Sequence, residues 1–190
     1  MKKMVTTISS TSPSEANAEE HITLINYLNK VCKDNGDRII AYYYSNNGFR
    51  SLTFAQVDRI ATNLACKWSS IIKDTQTVSY LADHGIDYLI VFLALLKLRV
   101  TPFLISPRNS QAIIVHLMKT TQSKFLLASK KYQSIAMAIS SSVKGMRELI
   151  MNPLQLDVLT MEPYYPDYQS ILNHNYISSD ITKTTLIMHR

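Results

Sequence analysis

The feature that most constrains the fold is an alternation, between residues 77 and 129, of short apolar segments with segments of helical spacing. Helices are predicted over residues 86–98 and 111–119. Three short apolar segments around them are predicted strands: TVSYLA (77–82), VTPFLIS (100–106) and KFLLAS (124–129). Repeated strand–helix units predict an α/β fold, with a mostly parallel sheet and helices on both of its faces.

The most apolar stretch of the chain is YLIVFLALL, residues 88–96, inside the first of these helices. A membrane-spanning helix takes about 20 apolar residues, whereas Lys97, Arg99 and Pro102 follow this stretch closely. We therefore predict a core helix that is apolar nearly all round because other elements cover it. No membrane partner is expected, and the cytoplasm is the expected location.

The N-terminal part predicts a helix followed by a hairpin. Apolar residues recur at helical spacing from residue 22 to 31, and NGD (35–37) ends that helix. RIIAYYYS (38–45) is a predicted strand, rich in β-branched and aromatic residues. NNG (46–48) then supplies a turn into a second strand over residues 49–52.

The first residues, MKKMVTTISSTSPSEANAEE, are expected to form a disordered tail over 1–20. They lack the apolar core of a secretory signal, and the absence of arginine weakens a transit-peptide interpretation. Residues 21–190 are then predicted to form one domain.

A capped amphipathic helix is predicted after the hairpin. Thr53 is a suitable N-cap, and Gln56 three residues later completes a capping box. Trp68 is assigned to the core rather than to a stacking site. It belongs to a face of apolar residues spaced three and four apart: Phe54, Val57, Ala61, Leu64, Trp68 and Ile71.

Beyond residue 129 the sequence pattern becomes less regular. It predicts a helix from about residue 132 to 150, a short strand at LDVLT (156–160) and a last strand over 184–189. Three tyrosines are assigned to a packed loop in preference to an aromatic site: Tyr164, Tyr165 and Tyr168.

The formal net charge is +6, and its excess lies between residues 101 and 150, where Glu148 is the single acid. These cations lack the series of interleaved aromatic residues that a groove stacking bases would require. We assign them to a solvated surface, and no nucleic-acid partner is expected. The cations are Arg108, Lys119, Lys124, Lys130, Lys131, Lys144 and Arg147.

Cysteine and histidine spacings point to neither disulfides nor a metal. The two cysteines, Cys32 and Cys66, are predicted to be reduced and buried. No two of the five histidines lie three or four residues apart, so no helix face offers two imidazole ligands. We assign them structural or solvated positions: His21, His84, His116, His174 and His189.

Two stretches resemble the adenylate-forming (AMP-dependent synthetase/ligase) superfamily, which includes acyl-CoA synthetases, luciferase and adenylation domains of nonribosomal peptide synthetases. SLTFAQVDRIATNLACKW (51–68) is similar to the first conserved helix of that superfamily. Within YLIVFLALLKLRVTPFLISPRNS (88–110), residues 94–107 are similar to its LA-x-LK-x-G-x-x-x-x-P segment. The resemblance covers about residues 21–190 and implies the N-terminal portion of an adenylation domain.

One string narrows the resemblance and one residue departs from it. ISPRNS (105–110) is similar to fungal nonribosomal-peptide-synthetase-like and aminoadipate-reductase-like enzymes, in which adenylation precedes a carrier domain and a reductase. Arg99 stands where the family usually has glycine. Glycine permits a tight helix-to-strand turn, so we expect the arginine to strain or alter that corner.

The resemblance implies activation of a carboxylic acid by ATP with Mg²⁺, followed by transfer of the acyl group to a pantetheine thiol. In the family, a strand such as TTLIMHR (184–190) runs into a Ser/Thr/Gly-rich loop that cradles the ATP phosphates. We expect this chain to stop before that loop. No catalytic, cofactor-binding or metal-ligating residue is therefore carried over, and the chain alone is expected to be inactive.

The expected partners are the remainder of the adenylation domain or a carrier domain. The rival hypothesis is a noncatalytic stand-alone α/β module that binds a partner through an exposed sheet edge or the basic segment 101–150. A weaker third hypothesis is an electrostatic nucleic-acid binder. The sequence downstream of residue 190 distinguishes the first two hypotheses.

Overall fold

The computed structural model describes residues 24–45, 48–72 and 77–163 and the backbone of 187–188. The predicted tail over 1–20 and the tyrosines Tyr164, Tyr165 and Tyr168 lie outside the described residues. In chain order the elements are α1 (Leu24–Asp34), β1 (Ile39–Ser45), β2 (Gly48–Thr53), α2 (Phe54–Trp68), β3 (Thr77–Leu81), α3 (Ile86–Lys97), β4 (Thr101–Ile105), α4 (Gln111–Thr120), β5 (Phe125–Ser129), α5 (Gln133–Ser142), β6 (Arg147–Met151), α6 (Leu156–Leu159) and β7 (Ile187–Met188).

The larger sheet is parallel throughout, with the strand order β6-β5-β3-β4-β7. β3 lies at its centre and pairs with β4 on one side and β5 on the other. β1 and β2 form a separate antiparallel hairpin. The predicted α/β architecture is confirmed.

Helices cover both faces of this sheet because alternate strand residues point in opposite directions. On β5, Phe125 and Leu127 pack with α2 and α3, whereas Leu126 and Ala128 pack with α4 and α5. All four of these β5 side chains are buried. Strands of a parallel sheet that is covered by helices on both faces are typically apolar at successive positions.

α3 lies between the sheet and α2, which explains its apolar character. From Ile90 to Leu96 every residue except Phe92 is buried. Burial of each Ile, Val or Leu side chain contributes about 1.5–3 kcal/mol. The prediction of a core helix is confirmed, and among the described residues no helix has the length and apolarity to cross a membrane.

The start of α2 has the predicted capping box. The Thr53 Oγ1 accepts from the Gln56 N–H at 3.3 Å, and the Thr53 N–H donates to Gln56 Oε1 at 2.9 Å. The predicted apolar face is largely correct, and Trp68 lies in the core. Ile71 is the exception, since it follows the helix end and is 42% exposed.

A buried lysine joins the first three helices. Lys97, at the end of α3, pairs with Asp58 of α2 at 2.8 Å and donates to Asn29 Oδ1 of α1 at 3.0 Å. The Lys97 side chain is only 3% exposed. Removing one partner of such a buried pair is strongly destabilising, because the other charge stays buried.

The predicted helix over residues 132–150 is correct only as far as Ser142, where α5 ends, and its second part is wrong because the strand β6 follows. Two terminal serines bond back to the helix, Ser141 Oγ to Met137 O and Ser142 Oγ to Ala138 O. Gly145 then adopts a left-handed φ of 76°, which turns the chain into β6.

The predicted strand over 156–160 is also wrong, because residues Leu156–Leu159 form the short helix α6. Leu156 is buried, whereas Val158 is 54% exposed, which contradicts strand alternation. The buried and half-buried leucines lie three apart, the spacing of a helix turn.

Residues 152–163, which we call the strap, run from the sheet edge back over α2. Three α2 residues four apart hold it: Arg59 donates to Thr160 O, Asn63 to Pro163 O, and Lys67 pairs with Glu162. Their spacing places them along one stripe of the helix. The start of the strap is held at α3, where Asp87 Oδ2 accepts the Leu154 N–H at 2.9 Å.

Arg99 has a left-handed φ of 58° at the corner between α3 and β4. The expected strain at this position is therefore confirmed, since a side chain in this region costs roughly 1–2 kcal/mol. Its backbone N–H donates to Leu96 O, which closes the helix end.

We predict that Arg99→Gly stabilises the chain by about 1 kcal/mol, which raises its Tm by about 2–4 °C. Arg99→Ala keeps the Cβ and is expected to bring no gain. Gln122→Gly is a matched test, because exposed Gln122 also has a left-handed φ, of 54°. An equal gain from Arg99→Ala in thermal denaturation would assign the strain to the guanidinium rather than to the backbone.

Candidate functional site

The sheet topology defines one location for a ligand. The strands are parallel, so their carboxyl ends lie at one edge. From β3 the chain passes through α3 to β4, and from β5 it passes through α5 to β6, on the opposite side. The connections that follow the neighbouring strands β3 and β5 therefore run in opposite directions along the sheet. Such a place is called a topological switch point, and in open α/β sheets ligands bind in the crevice there.

Charged side chains bridge the two loops at this crevice. Asp83 follows β3, and Lys131 and Tyr132 lie in the 3₁₀ turn that follows β5. The Lys131 Nζ lies 2.6 Å from Asp83 Oδ2, and the Tyr132 hydroxyl donates to Asp83 Oδ1. We call these three residues the switch-point cluster.

The cluster couples the ionisation of its members. Hydrogen bonds from Lys131 and Tyr132 lower the pKa of the Asp83 carboxyl. The hydrogen bond to Asp83 in turn raises the pKa of both the Lys131 ammonium and the Tyr132 phenol. At neutral pH the cluster is therefore a fixed carboxylate, ammonium and phenol, suited to orienting a ligand rather than to exchanging protons with it.

Aromatic rings line the start of α3 beside the cluster. Tyr80 of β3 stacks on Tyr88 with centroids 4.9 Å apart, and the His84 ring contacts Tyr88 edge-on at 5.0 Å. The Tyr80 side chain is fully buried, and its hydroxyl has no hydrogen-bond partner within the described part of the chain. Burial raises the pKa of Tyr80.

The loop after β4, residues 106–110, is at the same edge and forms a tight turn. The Asn109 N–H donates to Ser106 O at 3.1 Å, and the Arg108 N–H donates to Ser106 Oγ. Ser110 is the N-cap of α4, and its Oγ accepts from the Ile113 N–H. This is the string on which the subgroup resemblance depends.

The candidate residues that were considered in the sequence analysis do not lie together at this site. Among the described ranges, no three His, Cys, Asp or Glu side chains form a group that could hold a metal. Cys32 and Cys66 form no disulfide within the described part of the chain, and both are half-buried rather than fully buried as predicted. Burial still raises the pKa of the Cys32 thiol.

The cations of residues 101–150 are all exposed, in agreement with a solvated surface. Lys131 differs from the others by its role in the switch-point cluster. The sequence analysis missed this cluster, although a signal existed. Asp83 and Lys131 each come within two residues of the end of a predicted strand, where a parallel sheet gathers polar groups.

Comparison with known families identifies the class of protein. The sequence model for AMP-binding enzymes matches residues 28–173, from within α1 to beyond the strap. This match covers more than half of the chain. The protein belongs to the AMP-binding enzyme family.

Solved structures that share this fold include ligases and a luciferase-like enzyme. A long-chain-fatty-acid-CoA ligase from Archaeoglobus fulgidus is 16% identical, with a TM-score of 0.59 over 73% of this chain and 29% of that one. The luciferase-like enzyme of the mealworm Zophobas morio is 16% identical, with a TM-score of 0.63 over 79% and 36%. No curated protein sequence matches the chain.

O-succinylbenzoate coenzyme A synthetase from Bacillus subtilis, in complex with ATP and magnesium ion, is 17% identical, with a TM-score of 0.56 over 74% of this chain and 35% of that one. This chain therefore spans about a third of the length of these relatives. A magnesium ion prefers several oxygen ligands, and the described residues provide no group of three carboxylates or other metal ligands. No step is assigned to a metal held by these residues.

We predict opposite shifts of the Tyr132 pKa in two variants of the switch-point cluster. Asp83→Asn removes the acceptor that favours the protonated phenol, so the Tyr132 pKa falls. Lys131→Met removes a cation that favours the phenolate, so the pKa rises. Titration of ¹³Cζ-labelled tyrosine by NMR measures both shifts, with Tyr132→Phe to assign the signal. Shifts of the same sign in both variants would contradict the described contacts.

Proposed function

We propose that this chain is the N-terminal part of an adenylate-forming ligase. The match of the AMP-binding family to residues 28–173 is the observation that carries the proposal. The parallel sheet and the shared fold with coenzyme A ligases support it. The carboxylate would attack the α-phosphate of ATP and release pyrophosphate, and a pantetheine thiol would then take the acyl group and release AMP.

The chemistry determines what the described residues contribute. Acyl-adenylate formation needs the carboxylate in line with the α-phosphate and donors aimed at the charge that builds on phosphate oxygens. We assign no such catalytic group to the described residues. Their contribution is the scaffold, together with the polar carboxyl edge around the switch-point cluster.

The last strand supports this assignment. β7 pairs with β4 in parallel, with Phe103 opposite Ile187 and Leu104 opposite Met188. Its carboxyl end therefore faces the same edge as Asp83 and Lys131. A phosphate-binding loop that followed β7 would begin at the edge where this class of sheet binds ligands.

The finer assignment to fungal nonribosomal-peptide-synthetase-like or aminoadipate-reductase-like enzymes rests on the turn of residues 105–110 and is part of the proposal. A carrier domain is then the proposed acceptor of the acyl group, and the remainder of the adenylation domain the proposed partner. The alternative, a noncatalytic stand-alone α/β interaction module, is supported by the exposed aromatic residues of the hairpin.

The test compares ATP–pyrophosphate exchange by the 190-residue chain and by a protein extended with the codons that follow Arg190. We predict that the downstream frame encodes a Ser/Thr/Gly-rich loop ending in lysine. The extended protein should then exchange pyrophosphate with one or more carboxylic acids, whereas the short chain should not. The extended protein with that lysine changed to alanine is the matched control.

Three outcomes would contradict the proposal. Exchange by a tag-free preparation of the short chain would show that the scaffold assignment is wrong. A downstream frame without such a loop would favour the stand-alone module. Exchange that persists in the lysine-to-alanine control would show that the proposed loop does not carry the activity.

A further inference from the structure

The turn between α1 and β1 contains an asparagine followed by a glycine, Asn35 and Gly36. In such a pair the glycine backbone nitrogen can attack the asparagine side-chain carbonyl carbon, because a five-membered ring closes and no Cβ obstructs the nitrogen. Covalent connectivity alone keeps these two atoms close together. What the fold adds to this local chemistry is the environment of the Asn35 amide.

Two hydrogen bonds hold the Asn35 side chain. Its Nδ2 donates to Val31 O of α1 at 2.9 Å, and its Oδ1 accepts from Arg38 Nη1, also at 2.9 Å. The second bond places a permanent cation on the oxygen that becomes negative when a nucleophile adds to the amide carbon. A donor that is already positioned at a developing oxyanion lowers the barrier to that addition.

The Gly36 N–H is available as the nucleophile. Within the described part of the chain no acceptor holds this N–H, although the Gly36 carbonyl accepts from the Ala55 N–H at 3.0 Å. The fold does not require a glycine here, since the φ of Gly36 lies outside the left-handed region. A Cβ at this position would meet nothing nearer than Ala55 Cβ and Cys32 O, both at 3.7 Å. The glycine therefore meets no conformational need, and it leaves the nitrogen unobstructed.

We propose that Asn35 is a site of spontaneous deamidation, with Gly36 N as the nucleophile and Arg38 as the donor that stabilises the intermediate. A bond forms between Gly36 N and Asn35 Cγ, the proton of that nitrogen passes to solvent, and the side-chain nitrogen takes up a proton and leaves as ammonia. Water then opens the cyclic imide at one of its two carbonyl carbons and gives aspartate or isoaspartate. The reaction consumes one water and requires no oxidant or cofactor.

Either product weakens the C-terminal end of α1. The new carboxylate replaces the Nδ2 donor and faces Val31 O, an acceptor at the negative end of the helix dipole. It also lies between the exposed acids Asp34 and Asp37 in sequence. Isoaspartate in addition lengthens the main chain within the turn. Because Asn29 of α1 accepts from the buried Lys97, we expect the reaction to loosen the helix over this cation.

Incubation of the 190-residue chain at neutral pH and physiological temperature, followed by peptide mapping with mass spectrometry, tests the proposal. Deamidation adds about 1 Da to the peptide that contains Asn35. Asn47 also precedes a glycine, so its peptide is quantified separately. Gly36→Ala is the matched control, because its Cβ fits the fold but hinders the nitrogen. It should slow the reaction at Asn35 at least about tenfold and leave Asn47 unchanged.

A second variant tests the part of the proposal that depends on the fold. Arg38→Met keeps a long side chain but removes the guanidinium, so Asn35 in the folded chain should react at least about threefold more slowly. In concentrated urea the hydrogen bond is lost, and the variant and the unchanged chain should react at equal rates. Far-UV circular dichroism checks that both variants stay folded.

Native-state hydrogen exchange then measures the effect of the modification, since the amides of α1 should exchange faster after incubation than before. An unmodified Asn35 peptide, an unchanged rate in either variant, or a rate difference that persists in urea would overturn the proposed site. Unchanged exchange from α1 in the modified chain would overturn its expected effect on the helix.

Discussion

The position of α3 between the sheet and α2 is the constraint on which the rest of the structure depends. A parallel sheet must be covered on both faces, and here α3 supplies the apolar inner layer of one face. Because α3 is itself buried on nearly all sides, α2 must pack outside it. Lys97 then orients α1 through Asn29 at the outer surface. α3 thus positions α2 and α1 relative to the sheet.

The same layering creates the site. α3 lies on one face of the sheet while α4 and α5 lie on the other, so the loops after β3 and β5 diverge and leave a crevice between them. Asp83 and Lys131 occupy this crevice because each follows the last apolar residues of its strand. The fold therefore brings together two charges that are 48 residues apart in sequence. Under the proposed function, this edge is where a nucleotide would bind.

The sequence predicted correctly those helices and strands whose signals lie within a few consecutive residues. The capping box of Thr53 and the apolar spacing were sufficient to predict α2, and the alternation of segments was sufficient to predict the elements from β3 to β5. Local propensity and burial agree in these segments. The errors fall where tertiary pairing decides. Residues 147–151 become β6 because the edge of β5 offers them partners, and Leu156–Leu159 form a helix because the strap docks Leu156 into the core. The switch-point cluster depends on strand order, which no local pattern contains.

Native-state hydrogen exchange tests the central claim that the layers around α3 hold the fold together. The account predicts that the amides of β3, β5 and α3 exchange slowest, through global unfolding. The amides of the β1–β2 hairpin should exchange faster through local opening, since the hairpin is anchored by one face only. Exchange from α3 as fast as from the hairpin, or hairpin amides as protected as those of β3, would contradict this account.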